Sequence, residues 1–174
     1  MLNVYETAFE VIDLRSFSNL WFWIMLALVW SSASHFVLGV PFDMVARAAR
    51  YGGQAIDDLK AMVDINASRL LFIAETAGLW LIGLSFFMLS GLVILGFYYG
   101  VEICQAIFTI VAPMSLVFAL SIRTAGHVRG LEFEDLRHRL KRHRLWVQVI
   151  GMISILFTSL WGMYVNLSVG ALGN

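Results

Sequence analysis

Charged residues and cysteine are both scarce in this chain of 174 residues. Only 14% of the residues are Asp, Glu, Lys or Arg, whereas 60% are hydrophobic; soluble domains average about 25% charged residues. The single cysteine, Cys104, excludes a disulfide within the chain and a cysteine metal cluster. The HExxH, P-loop, GxSxG and CxxC motifs are also absent, so we expect no enzyme, no metal and no cofactor. The formal net charge of zero argues against nucleic acid as a partner.

Long charge-free runs are the main feature of the sequence. None of the four runs contains Asp, Glu, Lys or Arg, and they cover residues 20–40, 77–99, 103–122 and 145–168. Helices of this length can cross a hydrocarbon layer of about 30 Å. Because only residues 100–102 separate the second and third runs, these two form a tight hairpin. We therefore predict an all-α, polytopic membrane protein, a single domain over residues 1–174 with four transmembrane helices in two hairpins.

Lys and Arg are divided unequally between the two sides of this topology. Segments 41–69 and 123–144 hold eleven of the twelve basic residues, and the other side holds Arg15 alone. The positive-inside rule places the two basic segments in the cytoplasm. Both termini then lie on the opposite, outer side of the membrane.

The segments outside the predicted spans also show helical patterns. After a break at Gly52-Gly53, apolar residues recur at helical spacing, and after Gly130 the acids of LEFEDLRHRLKRHR precede its bases. We predict helical cytoplasmic extensions of the spans. A short N-terminal interfacial helix is predicted from one apolar face formed by Leu2, Tyr5, Phe9 and Ile12.

Two predicted spans carry a small or polar residue at every fourth position. The first ridge consists of Ala27, Ser31, His35 and Gly39, and the second ridge consists of Ser154, Thr158, Gly162 and Asn166. Small residues let helices approach closely, and polar residues hydrogen-bond where water is absent. We expect both ridges to contact protein, either this chain or a partner. His35 is also the candidate cofactor ligand, for haem or a chlorophyll metal, although a packing hydrogen bond is favoured because no second histidine lies at matching depth.

The third span carries a polar stripe that consists of Glu102, Gln105, Thr109 and Ala112. Pro113 lacks an N–H group and leaves the Thr109 carbonyl without its helical donor, a defect that membranes tolerate only next to protein or water. A kinked helix buried in the bundle is the favoured interpretation. Ion transport would need charged groups deeper than Glu102, and the predicted spans contain no Asp, Glu, Lys or Arg.

A basic run precedes the fourth span, and it consists of Arg137, Arg139, Lys141, Arg142 and Arg144. Such residues attract anionic lipid at about 1 kcal/mol each, and an acidic cytoplasmic partner is the alternative. The hairpin centred near Gly100 places Glu75 at the depth of Arg123. We therefore predict an ion pair between them, with Arg69 as the alternative partner and snorkelling of Glu75 to the headgroups as the alternative without a pair.

The segments VIDLRSFSNLWFWI, SSASHFVLGVPFDM and FYYGVE resemble a small set of alphaproteobacterial inner-membrane proteins. Those proteins are labelled as components of the Suf iron–sulfur cluster assembly complex. The resemblance runs along most of the chain, and it implies a compartment rather than an activity: the bacterial inner membrane, with both termini periplasmic.

Three functions follow as hypotheses. The first is a non-enzymatic accessory or assembly subunit that packs its ridges on a larger respiratory or photosynthetic complex of the inner membrane. The second is a membrane anchor or partner of a cytoplasmic machine such as Suf, which would dock on segments 41–69 and 123–144. The third is a redox or permeation protein. Of these two, ion passage is disfavoured because the predicted spans contain no Asp, Glu, Lys or Arg.

Overall fold

The computed structural model describes residues 16–172, with side chains described as far as Ser168. The predicted N-terminal interfacial helix and Arg15 lie outside the described residues. A short 3-10 turn at Ser16–Ser18 is followed by five α-helices and one β-hairpin. The helices are α1 (Leu20–His35), α2 (Phe42–Tyr51), α3 (Gln54–Val93), α4 (Glu102–Val128) and α5 (Phe133–Leu172). The antiparallel hairpin of β1 (Phe36–Val37) and β2 (Val40–Pro41) joins α1 to α2.

Three of the described helices are long and apolar enough to cross a membrane. The first is Gln54–Tyr98, which comprises α3 and a π-helical turn at Ile94–Tyr98, and the other two are α4 and α5. The described chain is therefore all-α with three candidate membrane-spanning helices. Each of the predicted extensions is continuous with its span, because α3 begins directly after Gly53 and α5 begins three residues after Gly130.

The first predicted span, 20–40, is shorter in the structure. Helix α1 has 16 residues, or about 24 Å at 1.5 Å per residue, which is less than the hydrocarbon thickness of about 30 Å. Leu38 and Gly39 have positive φ angles of 52° and 73° and form the turn of the β-hairpin. Pro41 favours an extended backbone at Val40, which is fully buried. Val37, Leu38 and Val40 therefore pack into the fold instead of lengthening the helix. Among the described helices, three rather than four reach the length of a span.

Helices α3 and α4 form the tight hairpin that the short 100–102 segment predicts. The chain reverses at residues 99–101, where Gly100 adopts a φ of 74°. Gly96, in the π-helical turn, lies against the start of α4, since a Cβ atom there would lie 2.9 Å from the backbone nitrogen of Gln105. Glycine at this position lets the two helices approach closely next to their turn.

Buried side chains form two separate clusters. The larger, called here the aliphatic cluster, lies between the β-hairpin, α2, the first half of α3, the end of α4 and the start of α5, and includes Leu59, Val63, Val128, Leu136 and Leu140. The smaller, called here the span cluster, consists of Leu26, Trp30, Val117 and Val147. The best-packed core thus lies at the end of the molecule that carries the basic segments. In the most apolar part of α3, by contrast, no residue is buried.

Candidate functional site

The polar stripe of α4 is used in contacts within this chain. The Glu102 Oε1 atom accepts a hydrogen bond from the Phe17 backbone N–H at 2.7 Å. The Gln105 side chain donates to the Gly96 carbonyl at 2.7 Å and accepts from the Trp161 indole N–H at 2.9 Å. These bonds connect α4 to the 3-10 turn, to the π-helical turn and to α5. The stripe therefore holds helices together.

The carbonyl that Pro113 leaves without a helical donor receives one from α5. The Ser154 hydroxyl donates to the Thr109 carbonyl at 3.2 Å, and both residues are buried. The Thr109 hydroxyl is occupied elsewhere, since it donates to the Ala106 carbonyl at 2.8 Å. A side chain of the second ridge thus offsets the backbone defect in the neighbouring helix.

The second ridge lies within the fold along its whole length. Thr158 is fully buried and donates to the Ser154 carbonyl at 2.7 Å. Gly162 packs against Phe17, because a Cβ atom at that position would lie 3.1 Å from the ring. Asn166 accepts a hydrogen bond from the Ser18 hydroxyl at 2.7 Å. The second ridge therefore packs α5 against α4 and the 3-10 turn.

The first ridge is exposed, although its spacing is the same. Ala27, Ser31 and His35 lie on an open face of α1, and Gly39 lies in the β-hairpin turn. Helix α1 instead buries Leu26 and Trp30 against the rest of the chain.

His35 has contacts that differ from those of a metal or haem ligand. Its ring packs edge-on against the Phe36 ring, with centroids 5.0 Å apart, and it makes no side-chain hydrogen bond with residues 16–168. Within the same residues, no group of three or more His, Cys, Asp or Glu side chains could hold a metal ion. Cys104 is free and half-buried in α4.

The basic run divides into residues with partners in the chain and residues without. Arg137 forms an ion pair with Glu134 at 3.6 Å. The Arg144 guanidinium donates to the Ser34 carbonyl at 3.2 Å and lies 4.0 Å from the centre of the Phe42 ring. Arg144 therefore connects α5 to α1 and α2. The remaining three residues are exposed and form no ion pair with any described residue: Arg139, Lys141 and Arg142.

The predicted ion pair between Glu75 and Arg123 is not formed among the residues that the structure describes. Both side chains are exposed, and Arg69 does not pair with Glu75 either. Glu75 shares its face of α3 with Phe72 and Leu79, whose side chains are 67% and 85% exposed. The hairpin argument gives the depth of Glu75 but leaves open its rotation about the helix axis, and this face points away from α4.

His143 is a buried polar residue that sequence reasoning did not single out. It is 4% exposed, and its Nδ1 and Nε2 atoms lie 3.0 Å and 3.4 Å from the hydroxyls of Thr124 and Ser121. Both hydroxyls also lie within donating distance of carbonyls of their own helix, at 2.8 Å. Burial lowers the pKa of His143, which favours the neutral form of the ring. We assign its single N–H to Nδ1, which makes the shorter contact, with Thr124.

The sequence signal that could have identified His143 is the spacing of the two hydroxyl residues that it contacts. Ser121 and Thr124 lie three residues apart on α4, and thus on one face. That face meets α5 just before the fourth predicted span, where His143 lies.

No family model, no curated protein and no solved structure matches this chain. The arguments about function therefore rest on the geometry of the described residues. Among the described residues, the buried side-chain polar atom that lacks a hydrogen-bond partner is the Trp30 indole Nε1. Two exposed features also lack polar partners within residues 16–168: the first ridge on α1, and the three arginines at the α4–α5 contact.

Proposed function

We propose that this chain is a non-enzymatic accessory or assembly subunit that docks through α1 on a larger inner-membrane complex, respiratory or photosynthetic. The observation that carries the proposal is the exposure of the first ridge. Ser31 and His35 present a hydroxyl and an imidazole on an open face, where lipid offers no hydrogen-bond partner. On α5 the same spacing is covered by this chain, so a partner protein is the matching cover for α1.

The shortness of α1 supports the same proposal. A helix of about 24 Å leaves a mismatch with a hydrocarbon layer of about 30 Å. Association with another membrane protein is one of the ways in which short spans are accommodated. In this proposal α1 crosses the membrane in addition to α3, α4 and α5. The N- and C-termini are then periplasmic, because eleven of the twelve Lys and Arg residues lie in the cytoplasm.

Labelling of single cysteines in a Cys104→Ser background tests the orientation. We expect Tyr99→Cys to react with an impermeant maleimide added from the periplasm, and Gln54→Cys and Lys141→Cys to react only after the membrane is opened. All three positions are exposed in the structure. Reaction of the cysteine at position 141 in intact cells would contradict the orientation.

Copurification from native membranes tests the docking surface. Ser31→Leu adds bulk to the first ridge without touching a buried contact, so we expect the partner to be lost while the chain itself stays folded. Met25→Phe is the matched control, because Met25 is 53% exposed and lies on another face of α1. Retention of the same partner by both variants would contradict the proposal.

A membrane anchor for a cytoplasmic machine such as Suf is the second candidate. The observation that favours it is the aliphatic cluster, which builds a folded platform at the basic end of the molecule. In this case Lys141→Glu should release a soluble partner, whereas Ser31→Leu should leave it bound. The opposite pattern supports docking through α1.

A further inference from the structure

A pocket with a volume of about 410 Å³ lies between α4 and α5. Each helix contributes four residues at positions i, i+3, i+4 and i+7, and these positions share one face of a helix. The lining residues are Leu120, Arg123, Thr124 and His127 of α4 and Arg139, Arg142, His143 and Trp146 of α5. Two antiparallel helices thus present matching faces to one space, of the size that small-molecule sites have.

The lining carries positive charge without a counter-ion. None of its eight residues is Asp or Glu, and its three arginines form no ion pair within residues 16–168. By contrast Arg137 and Lys60, in the same part of the fold, both have carboxylate partners. Three unpaired guanidinium groups around one space favour an anion, and arginine is suited to phosphate because it can donate two parallel hydrogen bonds.

The pocket changes from apolar to cationic along its length. Leu120 and Trp146 belong to the charge-free runs 103–122 and 145–168, whereas His127 and Arg139 lie at the opposite end, farthest from those runs. Tryptophan favours the interface between hydrocarbon and headgroups. The pocket therefore crosses the level at which the acyl chains of a lipid end and its phosphate begins.

We propose that this pocket binds the phosphate of an anionic phospholipid, with the acyl chains passing over Leu120 and Trp146. Arg123, Arg139 and Arg142 contact the phosphate oxygens. The ring of His127 is held by its Nδ1–H, which donates to the Arg123 carbonyl at 2.7 Å. The site is independent of the docking surface on α1, and it uses only two residues of the basic run.

The binding of fluorescent phosphatidylglycerol to the purified full-length chain in detergent tests this site. Phosphatidylcholine, which has a phosphate but no net charge, is the reference lipid. The pocket variant is R123Q/R142Q, and the matched control is R129Q/K141Q, which removes two charges from the same parts of the chain at exposed positions outside the pocket. At about 1 kcal/mol for each basic residue, the pocket variant should bind phosphatidylglycerol roughly 30-fold more weakly, and the control should bind it like the wild type.

Three outcomes would overturn the proposal. Equal affinity of the wild type for the two lipids would show that the arginine charges do not favour an anionic lipid over a neutral one. Equal losses in the two double variants would show diffuse attraction to the basic run instead of a site. Displacement of phosphatidylglycerol by an equal concentration of inorganic phosphate would identify a soluble phosphate as the ligand, because the acyl chains would then contribute nothing.

A charge-conserving variant covers the case in which R123Q/R142Q does not fold. R123K/R142K keeps both charges but cannot donate two parallel hydrogen bonds to one phosphate. We expect it to bind phosphatidylglycerol several-fold more weakly than the wild type, at unchanged helix content by circular dichroism. Unchanged affinity in this variant would exclude the arginine–phosphate contact.

Discussion

The basic end and the apolar end of this molecule are held together by different contacts. At the basic end, Leu59 and Leu140 are fully buried in the aliphatic cluster. Farther along α5, Leu156 and Leu160 are 61% and 56% exposed, and the buried positions there are Ser154, Thr158 and Gly162. The same helix thus buries leucine in its first part and small or hydroxyl residues in its second part.

A helix that passes from water into a bilayer is expected to show this difference. Burial of leucine stabilises a fold only where the alternative is contact with water. In a bilayer the lipid tails are as apolar as leucine, so helices associate through close packing and hydrogen bonds between them. Along α5 the exchange of one contact type for the other falls between Val147, which is buried in the span cluster, and Gly151, which packs against the Trp30 ring.

Replacing leucine in the two parts of α5 should give the largest contrast. Leu140→Ala removes a fully buried side chain from the aliphatic cluster, and we expect the free energy of unfolding to fall by about 2–5 kcal/mol. Leu156→Ala is the control, and its effect should stay below about 0.5 kcal/mol because the side chain is mostly exposed. Unfolding in mixed micelles measures both. Similar losses would mean that Leu156 is covered by a partner or that the aliphatic cluster is not formed.

Adding a methyl group where helices touch should be the next largest effect. A Cβ atom at Gly151 would lie 2.7 Å from the Trp30 ring, so Gly151→Ala forces α1 away from α5 and should cost about 1–3 kcal/mol. Gly83→Ala is the control, because nothing lies within 4 Å of the added atom, and it should be neutral or stabilising by up to about 1 kcal/mol. A stable Gly151→Ala protein would show that α1 packs elsewhere.

The helices could be predicted from the sequence because their signals are local. Charge-free runs gave the apolar parts of α3, α4 and α5, and the glycines at 52, 53 and 130 marked where helices begin or end. The predicted end of the first helix at residue 40 was wrong, since α1 ends at His35. Hydrophobicity does not distinguish a longer helix from a buried hairpin. The turn at Leu38-Gly39 and the proline at 41 were the local signals that favoured the hairpin.

The site could be predicted only in part because spacing does not specify which element covers a face. The two ridges are alike in sequence, yet one is buried by α4 and Phe17 and the other is exposed. The defect at Pro113 was predictable from chemistry, whereas its partner Ser154 depends on how α5 is rotated. The same missing information, rotation about a helix axis, explains why Glu75 and Arg123 do not meet.

The pH dependence of stability should test the buried histidine at the junction of the two ends. Burial lowers the pKa of His143, which lies just before the charge-free run 145–168, whereas the unfolded chain has the ordinary value of about 6.5. Below that value the unfolded chain binds more protons than the folded one, so stability is full above about pH 6.5 and decreases as the pH falls. Thermal unfolding between about pH 7.5 and pH 5.5 should show this decrease. The His143→Gln variant should show a weaker dependence, and an identical slope in the variant would contradict the assignment.

The smallest effect, and the most specific to the apolar end, concerns the bond between Ser154 and the Thr109 carbonyl. Ser154→Ala leaves that buried carbonyl without a donor and should cost about 1 kcal/mol. Pro113→Ala restores a backbone N–H that can donate to the same carbonyl. In the Pro113→Ala background the loss on Ser154→Ala should therefore be smaller, and the two changes should couple. Strictly additive losses would show that the Ser154 hydroxyl does not replace the missing helical donor.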